Sequence, residues 1–317
     1  MTRQERTRWI WRSLIVLGVL LGARTLWHFP WHETGAALRD ASLALLVAAA
    51  LINFFSPAFK GAGWYFLLRG VARCRWWVAQ EANLIGTAVN SVSIGGTGEA
   101  ARIAVVTDRD GVPARAALLS VATTRIAEGV ALACFIVFAP LKLDLPAQLR
   151  MVQIVAAILL VAVLAAGALP IWPRVLRFLP RGVRTIAAEL NAIGGGRRLV
   201  LPVMCRLGSW VVEWMVYWAV LRATLGDVPW SVSFAALIVT NLGGVLRITP
   251  GNVGVLQATM VAALLPFGIP AERAVAAGLA LQAVQVLPIL ALTGVVVQRA
   301  GLAWALSPRK TEDPTPA

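Results

Sequence analysis

The stretch Ser91-Val92-Ser93-Ile94-Gly95-Gly96-Thr97-Gly98 interrupts an apolar region that otherwise runs from Val78 to Thr107. A second apolar region, Ser231–Pro266, is interrupted by Thr249-Pro250-Gly251-Asn252, whose Pro-Gly pair suits the centre of a type II turn. Each region is therefore predicted to form two short helices joined by an irregular turn. Irregular backbone at membrane depth is stable only where protein or a water-filled cavity surrounds it.

The composition excludes a water-soluble enzyme. The 317 residues are 59% hydrophobic and 14% charged, with a mean hydropathy of +0.75, whereas a soluble domain has about 45–50% apolar and about 25% charged residues. Three cysteines, Cys74, Cys134 and Cys205, lack metal-ligand spacing, so we predict no disulfide framework, metal site or cofactor. The chain is predicted to form a single integral membrane domain over residues 1–317.

Six apolar stretches approach or exceed the ~20 residues that span a bilayer. They are Ile10–Trp27, Asp40–Phe59, Ala114–Leu141, Met151–Trp172, Leu199–Leu221 and Arg273–Gln298. The predicted fold is therefore an all-α polytopic membrane protein with about six full spans plus two re-entrant or broken-helix hairpins.

The basic residues indicate the orientation of these spans. Of 29 Lys and Arg residues, which exceed Asp and Glu by 14, twenty fall on one side, including Lys60, Arg102 and the arginines of a loop at about 173–198. The other side receives Arg39, Lys142, Arg150, Arg222 and Arg273, and membrane depth receives Arg24, Arg125, Arg206 and Arg247. The positive-inside rule then places both termini in the cytoplasm. The positive charge is explained by topology, so no nucleic-acid partner is predicted.

The two interrupted regions resemble each other. Asn83–Gly86 and Gly96–Ala100 align with Asn241–Gly244 and Gly254–Ala258 at a constant offset of 158, which suggests one repeat at about 79–141 and another at about 231–298. Three spans separate the copies, so the second is predicted to be inverted. Inverted repeats with broken helices are typical of secondary transporters, whose sites lie near the midplane.

Charged side chains inside the apolar regions mark a candidate site. Arg125 and Glu128 lie three residues apart in one predicted helix, and Glu99 and Arg102 are similarly spaced after Gly98. Each charge costs at least ~2.5 kcal/mol at the bilayer centre, so these side chains are expected to avoid lipid. The glycines from 95 to 98 offer backbone N–H groups that hold an anion such as a lipid phosphate, with Glu99 requiring Arg102 or Arg125 as a partner.

Other polar positions extend this candidate site. Arg206 and Glu213 share a helix with the stripe Trp210, Trp214 and Trp218, which is more typical of packing. After a one-residue deletion the offset of the repeat alignment becomes 157, so that Gln282 and Gln285 correspond to Arg125 and Glu128. These two glutamines are expected to serve as ligands or as hydrogen-bonding links between helices. An alternative interpretation is that all these charges only tie helices together. The candidate translocation residues are Glu99, Arg102, Arg125, Glu128, Glu213, Arg247, Pro250, Gly251, Asn252, Gln257 and Gln282.

Three motifs together resemble the lysylphosphatidylglycerol synthase transmembrane family, which includes flippase-like proteins and the lipid-translocating half of the multiple peptide resistance factor. They are Gly96-Thr97-Gly98-Glu99-Ala100-Ala101-Arg102, the Arg125-x-x-Glu128 helix, and Arg247-Ile248-Thr249-Pro250-Gly251-Asn252-Val253-Gly254. Relatives often carry Glu and Arg where this chain has Gln257 and Gln282. The chain ends within ten residues of Ser307, without an aminoacyl-transfer domain, so the resemblance implies translocation without lipid synthesis.

The leading functional hypothesis is that the protein flips or scrambles a polar or anionic lipid, either a phospholipid or a polyprenyl-linked lipid. The resemblance implies that this takes place in the inner (plasma) membrane of a bacterium. No catalytic residue is assigned and no P-loop is present, so ATP hydrolysis is not expected. One alternative is a membrane-embedded transferase that acts on a polyprenyl lipid or a glycerophospholipid, with Glu99 or Glu128 as base. It predicts a metal or an acidic pair at the site, but the only acidic cluster, Asp108 and Asp110, is interpreted as a solvated turn. Another is a non-catalytic subunit of a lipid-modifying system. A second copy of the chain and a lipid-synthesis enzyme are the candidate protein partners.

Overall fold

The structure is a computed structural model that describes residues 31–93, 96–138, 147–168, 196–244 and 249–306. These residues form eleven α-helices, three short 3-10 turns and no strand, which confirms the all-α prediction. The helices are α1 (Trp31–Arg39), α2 (Leu43–Asn53), α3 (Phe55–Leu68), α4 (Trp76–Val92), α5 (Thr97–Asp110), α6 (Ala114–Phe138), α7 (Ala147–Ala168), α8 (Val200–Leu225), α9 (Trp230–Gly244), α10 (Val255–Leu264) and α11 (Ala271–Leu306).

Three helical stretches are long and apolar enough to cross a membrane, namely Leu43–Leu68, Ala114–Phe138 and Ala271–Arg299. A fourth is counted if α8 and α9, which meet at a bend of 114°, form one broken span. The chain is therefore a membrane protein. The predicted span Ile10–Trp27 and most of the loop at about 173–198 lie outside the described residues, so the total of six spans stays a prediction.

The sequence prediction was wrong about two basic residues. The predicted span Asp40–Phe59 ends too early, because helix α3 continues to Leu68 and carries Lys60 in its middle. Lys60 and Arg102 were assigned to the cytoplasmic surface, but the ammonium of Lys60 pairs with Glu213 and the side chain of Arg102 is only 9% exposed. A charge usually marks the end of a span, but here a partner on another helix compensates it within the interior.

Helix α8 is the centre of the fold. It packs against α2, α3, α6, α9 and α11, and it runs antiparallel to α3, since Gly63 lies against Cys205 and Phe59 lies against Gly208. The tryptophan stripe of α8 serves packing: Trp214 contacts the ring of Phe234 at 5.6 Å between centroids, and Trp218 stacks on Trp230 at 4.5 Å. The aromatic contacts fix helix α9 beside α8.

Both interrupted regions form helical hairpins. In the first hairpin, α4 and α5 lie so close together that a side chain at Gly86 or Gly98 would overlap the backbone of the opposite helix. In the second, α9 and α10 approach each other at Gly243 and Thr259. Small residues allow helix backbones to approach closely in apolar surroundings. The predicted breaks are therefore present, and each closes a pair of packed helices.

The open end of the first hairpin, where α4 begins and α5 ends, is held by salt bridges and hydrogen bonds. The expectation of a solvated turn at Asp108 and Asp110 is therefore corrected. Arg75 donates to Asp110 from its backbone N–H at 2.7 Å and from Nε at 2.8 Å. Although partial burial opposes ionisation of Asp110, these hydrogen bonds hold its pKa below the ordinary value. Burial, together with a hydrogen bond to Asp110, raises the pKa of Cys74 to about 12, so this thiol stays protonated at neutral pH.

The two hairpins approach helix α8 from opposite ends. The open end of the first hairpin lies near the beginning of α8, because Tyr65 contacts Trp76 at 4.9 Å on the same part of α3 that meets Pro202. The open end of the second hairpin lies near the end of α8, where Trp218 stacks on Trp230. The closed ends meet between them, since Gly251 lies against the carbonyl oxygen of Ser91.

This geometry predicts that the two open ends reach opposite faces of the membrane. Single cysteines introduced at the exposed positions Arg73 and Asp227, in a chain whose native cysteines are replaced by serine, should react with an impermeant maleimide from opposite sides. Labelling is measured in inside-out and right-side-out membrane vesicles. Reaction of both positions from the same side alone would contradict the arrangement.

Candidate functional site

A cavity of about 600 Å³ lies where the closed ends of the hairpins meet helices α3, α6, α8 and α11. Its wall contains hydroxyl and amide groups and a group of charged side chains. Among the described residues, those charged side chains are Lys60, Glu99, Arg102, Arg125, Glu128, Arg206 and Glu213. The structure therefore brings together five of the charged residues on the candidate list and Arg206, which the sequence analysis considered with Glu213, and it adds Lys60.

Five of these side chains form one continuous chain of ion pairs across three helices. Glu99 on α5 accepts from Arg102 at 3.0 Å and from Arg125 on α6. Glu128 accepts from Arg125 at 2.7 Å and from Arg206 on α8. The order along the chain is Arg102–Glu99–Arg125–Glu128–Arg206, so it begins and ends with an arginine. Glu99 thus has both partners that the sequence analysis required for it.

The two terminal arginines are buried, and each keeps one donor without a partner. The side chains of Arg102 and Arg206 are each 9% exposed, and their Nε atoms have no hydrogen-bond partner among the described residues. The guanidinium of Arg102 lies over the ring of Trp64 at 4.4 Å, and Trp64 in turn donates to Ser120 at 2.9 Å. Arg102 is therefore held in a fixed orientation with unused hydrogen-bonding capacity.

A second, separate cluster surrounds Glu213. Its carboxylate pairs with Lys60 and accepts hydrogen bonds from Ser56 at 2.8 Å and Ser209 at 3.3 Å. The sequence analysis selected Glu213 but not its partners on α3. The available signal was the presence of Lys60 and Ser56 inside what proves to be one apolar helical stretch, Leu43–Leu68.

At the corresponding junction of the second hairpin, the contacts are neutral. The side-chain carbonyl of Gln257 accepts from the backbone of Gly254 at 2.7 Å, and its amide donates to Gln282 at 2.8 Å. Gln282 donates in turn to the carbonyl of Gly251 at 3.0 Å. In the repeat alignment, Gln257 and Gln282 correspond to Glu99 and Arg125, so both hairpins are joined to the following long helix at aligned positions.

The turn of the second hairpin has an unusual backbone. Gly251 and Asn252 have φ angles of 60° and 56°, and Asn252 donates from its side chain to the carbonyl of Gly244 at 3.2 Å. Pro250 begins the 3-10 turn that contains both residues, and Arg247 lies outside the described residues. The oxygen of the Asn252 amide is buried and has no partner among the described residues. This turn, together with Gln282, forms the neutral wall of the cavity.

The expected anion site on the backbone of the glycine stretch is not supported. The N–H of Gly98 donates to the side chain of Asn90 at 2.9 Å, and the N–H of Glu99 donates to the carbonyl of Gly96 at 3.0 Å. Gly95 lies outside the described residues. The protein itself therefore occupies the backbone donors of Gly98 and Glu99.

The contact at the closed ends predicts a difference between two glycines. Gly251→Ala should lower the free energy of unfolding by ~1–2 kcal/mol for its left-handed φ and by ~1–3 kcal/mol more for overlap with Ser91. Gly111, which follows α5, is the matched control, because its φ and ψ of 62° and 22° are close to the 60° and 17° of Gly251 and nothing lies within 4 Å of an added methyl group. Thermal unfolding in detergent compares the two variants, and equal losses would contradict the contact.

The Lys60–Glu213 pair predicts non-additive stability. Lys60→Met should destabilise the protein by ~3–5 kcal/mol, because it strands the buried carboxylate of Glu213. The double variant Lys60→Met/Glu213→Gln should recover most of that loss, since no unpaired charge remains. Denaturant unfolding of the two single variants and the double variant measures the coupling, and a Lys60→Met variant as stable as the parent would show that the pair contributes nothing.

A known protein family matches the part of the chain that contains the cavity. No curated protein matches the chain. The family model described as the lysylphosphatidylglycerol synthase TM region matches residues 9–293, a range that includes both hairpins and every charged residue of the cavity. This match indicates a function related to membrane lipids. The chain therefore belongs to the lysylphosphatidylglycerol synthase transmembrane family.

Proposed function

We propose that the protein moves a lipid with a polar or anionic headgroup across the membrane, by flipping or by scrambling. The observation that carries this proposal is the charged cavity of about 600 Å³ between helices of membrane-spanning length. A phosphate in an apolar medium is too costly to move without compensation. The cavity supplies guanidinium, ammonium and amide groups to the headgroup, while the hydrocarbon chains stay in the lipid.

The paired hairpins support a transporter architecture. The hairpins approach α8 from opposite ends, and the contact between Glu99 and Arg125 recurs as the contact between Gln257 and Gln282. We propose on this basis that the two repeats are inverted and that the cavity opens alternately to either face. Discontinuous helices that meet near the midplane are the usual place for a transported ligand in such proteins.

The charges at the open end of the first hairpin support the proposed orientation. Among the described residues, this end contains or adjoins Arg69, Arg73, Arg75, Arg109 and Arg115. We propose that this end faces the cytoplasm of a bacterial cell and that the protein resides in the plasma membrane.

The state of the carboxylates favours transport over transfer chemistry. Glu99, Glu128 and Glu213 each accept hydrogen bonds from at least one cationic side chain. A general base needs a lone pair directed at the proton that it removes, whereas these carboxylates are occupied by the cations that hold the helices together. Their arrangement suits charge compensation better than proton abstraction.

Exchange in liposomes tests the proposed function. The purified protein, reconstituted with a phospholipid labelled on one acyl chain, should exchange that lipid between leaflets faster than protein-free vesicles, as measured by dithionite quenching. Arg102→Gln and Arg206→Gln should each slow exchange about 10–100-fold, the value of one charge-assisted hydrogen bond.

Arg222→Gln serves as the control variant, because Arg222 lies outside the cavity and pairs with Asp227 at 2.8 Å. Its exchange rate should equal that of the parent. Exchange at the protein-free rate for every anionic or polyprenyl lipid would overturn the proposal. Product formation from a sugar donor under the same conditions would favour the transferase alternative.

A further inference from the structure

We infer that the cavity selects lipids by the sign of the headgroup charge: it binds a phosphate-bearing headgroup with net negative charge through Arg102 and Arg206, and it rejects cationic, aminoacylated headgroups. This inference rests on the proposed function and names the substrate class of the same site.

The charges in the cavity do not balance. The chain Arg102–Glu99–Arg125–Glu128–Arg206 contains three cations and two carboxylates, and the Lys60–Glu213 pair is neutral. Counted over the described residues, the cavity therefore has one excess positive charge. This series of ion pairs has an arginine at each end, and the central Arg125 pairs with two carboxylates. The excess positive charge therefore lies at Arg102 and Arg206.

Both terminal arginines have a hydrogen-bond donor that the protein does not use. Arg102 donates to Glu99 from Nη1, and Arg206 pairs with Glu128 through Nη2. The Nε atom of each arginine is buried and has no partner among the described residues. A guanidinium binds phosphate best with two parallel N–H groups, and Nε is one of the two donors on its side edge. A phosphate ester thus satisfies the Nε donor that the protein leaves unsatisfied on each arginine. At Arg102 the neighbouring Nη2 supplies the second donor of that edge, whereas at Arg206 the Nη2 already pairs with Glu128.

The described part of the cavity offers no unpaired carboxylate to a cation. Every carboxylate that the described residues place in the cavity is already paired: Glu99 with two arginines, Glu128 with two arginines, and Glu213 with Lys60 and two serines. An incoming ammonium would have to displace one of these partners and would meet a positive field in a desolvated cavity. Gln282, which lines the cavity at the second hairpin and accepts from Gln257, offers no carboxylate in compensation.

Three lipids with identical acyl chains and one acyl-chain label test the inference. They are phosphatidylglycerol, with one negative charge, phosphatidylethanolamine, which is neutral overall, and lysylphosphatidylglycerol, with one positive charge. The parent protein should exchange phosphatidylglycerol at least tenfold faster than lysylphosphatidylglycerol, with phosphatidylethanolamine between them. Equal or faster exchange of lysylphosphatidylglycerol would overturn the inference while leaving the proposed function intact.

A binding measurement separates the inference from transport. Native mass spectrometry of the purified full chain should show preferential retention of phosphatidylglycerol, and Arg206→Lys, which keeps the charge but removes Nε, should weaken that retention at least tenfold. If no lipid is exchanged but this preference is present, the proposed function fails and the inference stands. Equal retention of the three lipids would refute the inference.

A competition experiment identifies the source of the phosphate. Inorganic phosphate at a concentration equal to that of phosphatidylglycerol should leave the retained lipid unchanged, because the acyl chains contribute to binding. Displacement of the lipid at that concentration would assign the site to a soluble phosphate compound and would overturn the assignment to a lipid headgroup.

Discussion

The cost of a charge in a low-dielectric interior is the constraint on which the rest of this structure depends. Each of the charges in the Arg102–Glu99–Arg125–Glu128–Arg206 chain would cost several kcal/mol if left unpaired. Since its members lie on α5, α6 and α8, pairing them fixes the positions of three helices at once. The close approach of α4 and α5 at Gly86 then places the first hairpin against this framework.

The two hairpins solve the same structural problem with different chemistry. Each must be attached to the long helix that follows it, at aligned positions. The first uses the ion pair Glu99–Arg125, and the second uses the amide pair Gln257–Gln282. An amide pair gives a directed hydrogen bond without the desolvation cost of two charges. The charged junction is therefore more than attachment requires, and under the proposed function its arginines also compensate the charge of the headgroup.

Sequence reasoning succeeded where the signal was local. The breaks in both apolar regions follow from glycine and proline, and the Arg125–Glu128 contact follows from helical spacing. It failed for Lys60 because the compensating carboxylate, Glu213, lies 153 positions away, and a span-finding rule ends at a charge. It also failed for the backbone of Gly98, because the side chain of Asn90 that occupies its N–H comes from the opposite helix of the hairpin. Partners that lie on another helix leave no periodic pattern in a sequence.

Under the proposed function, the charge balance of the cavity also affects how it opens and closes. Over the described residues, the empty cavity has four cations and three carboxylates, so a bound headgroup with one negative charge makes it neutral. Under the proposed function, the loaded cavity is then cheaper to enclose in the apolar interior than the empty one, because burying a net charge carries the larger desolvation cost. A ligand shifts a conformational equilibrium only by its difference in affinity between the two states. An anionic headgroup gains affinity most where the cavity is closed from water, whereas a cationic one raises the net charge and favours the open state.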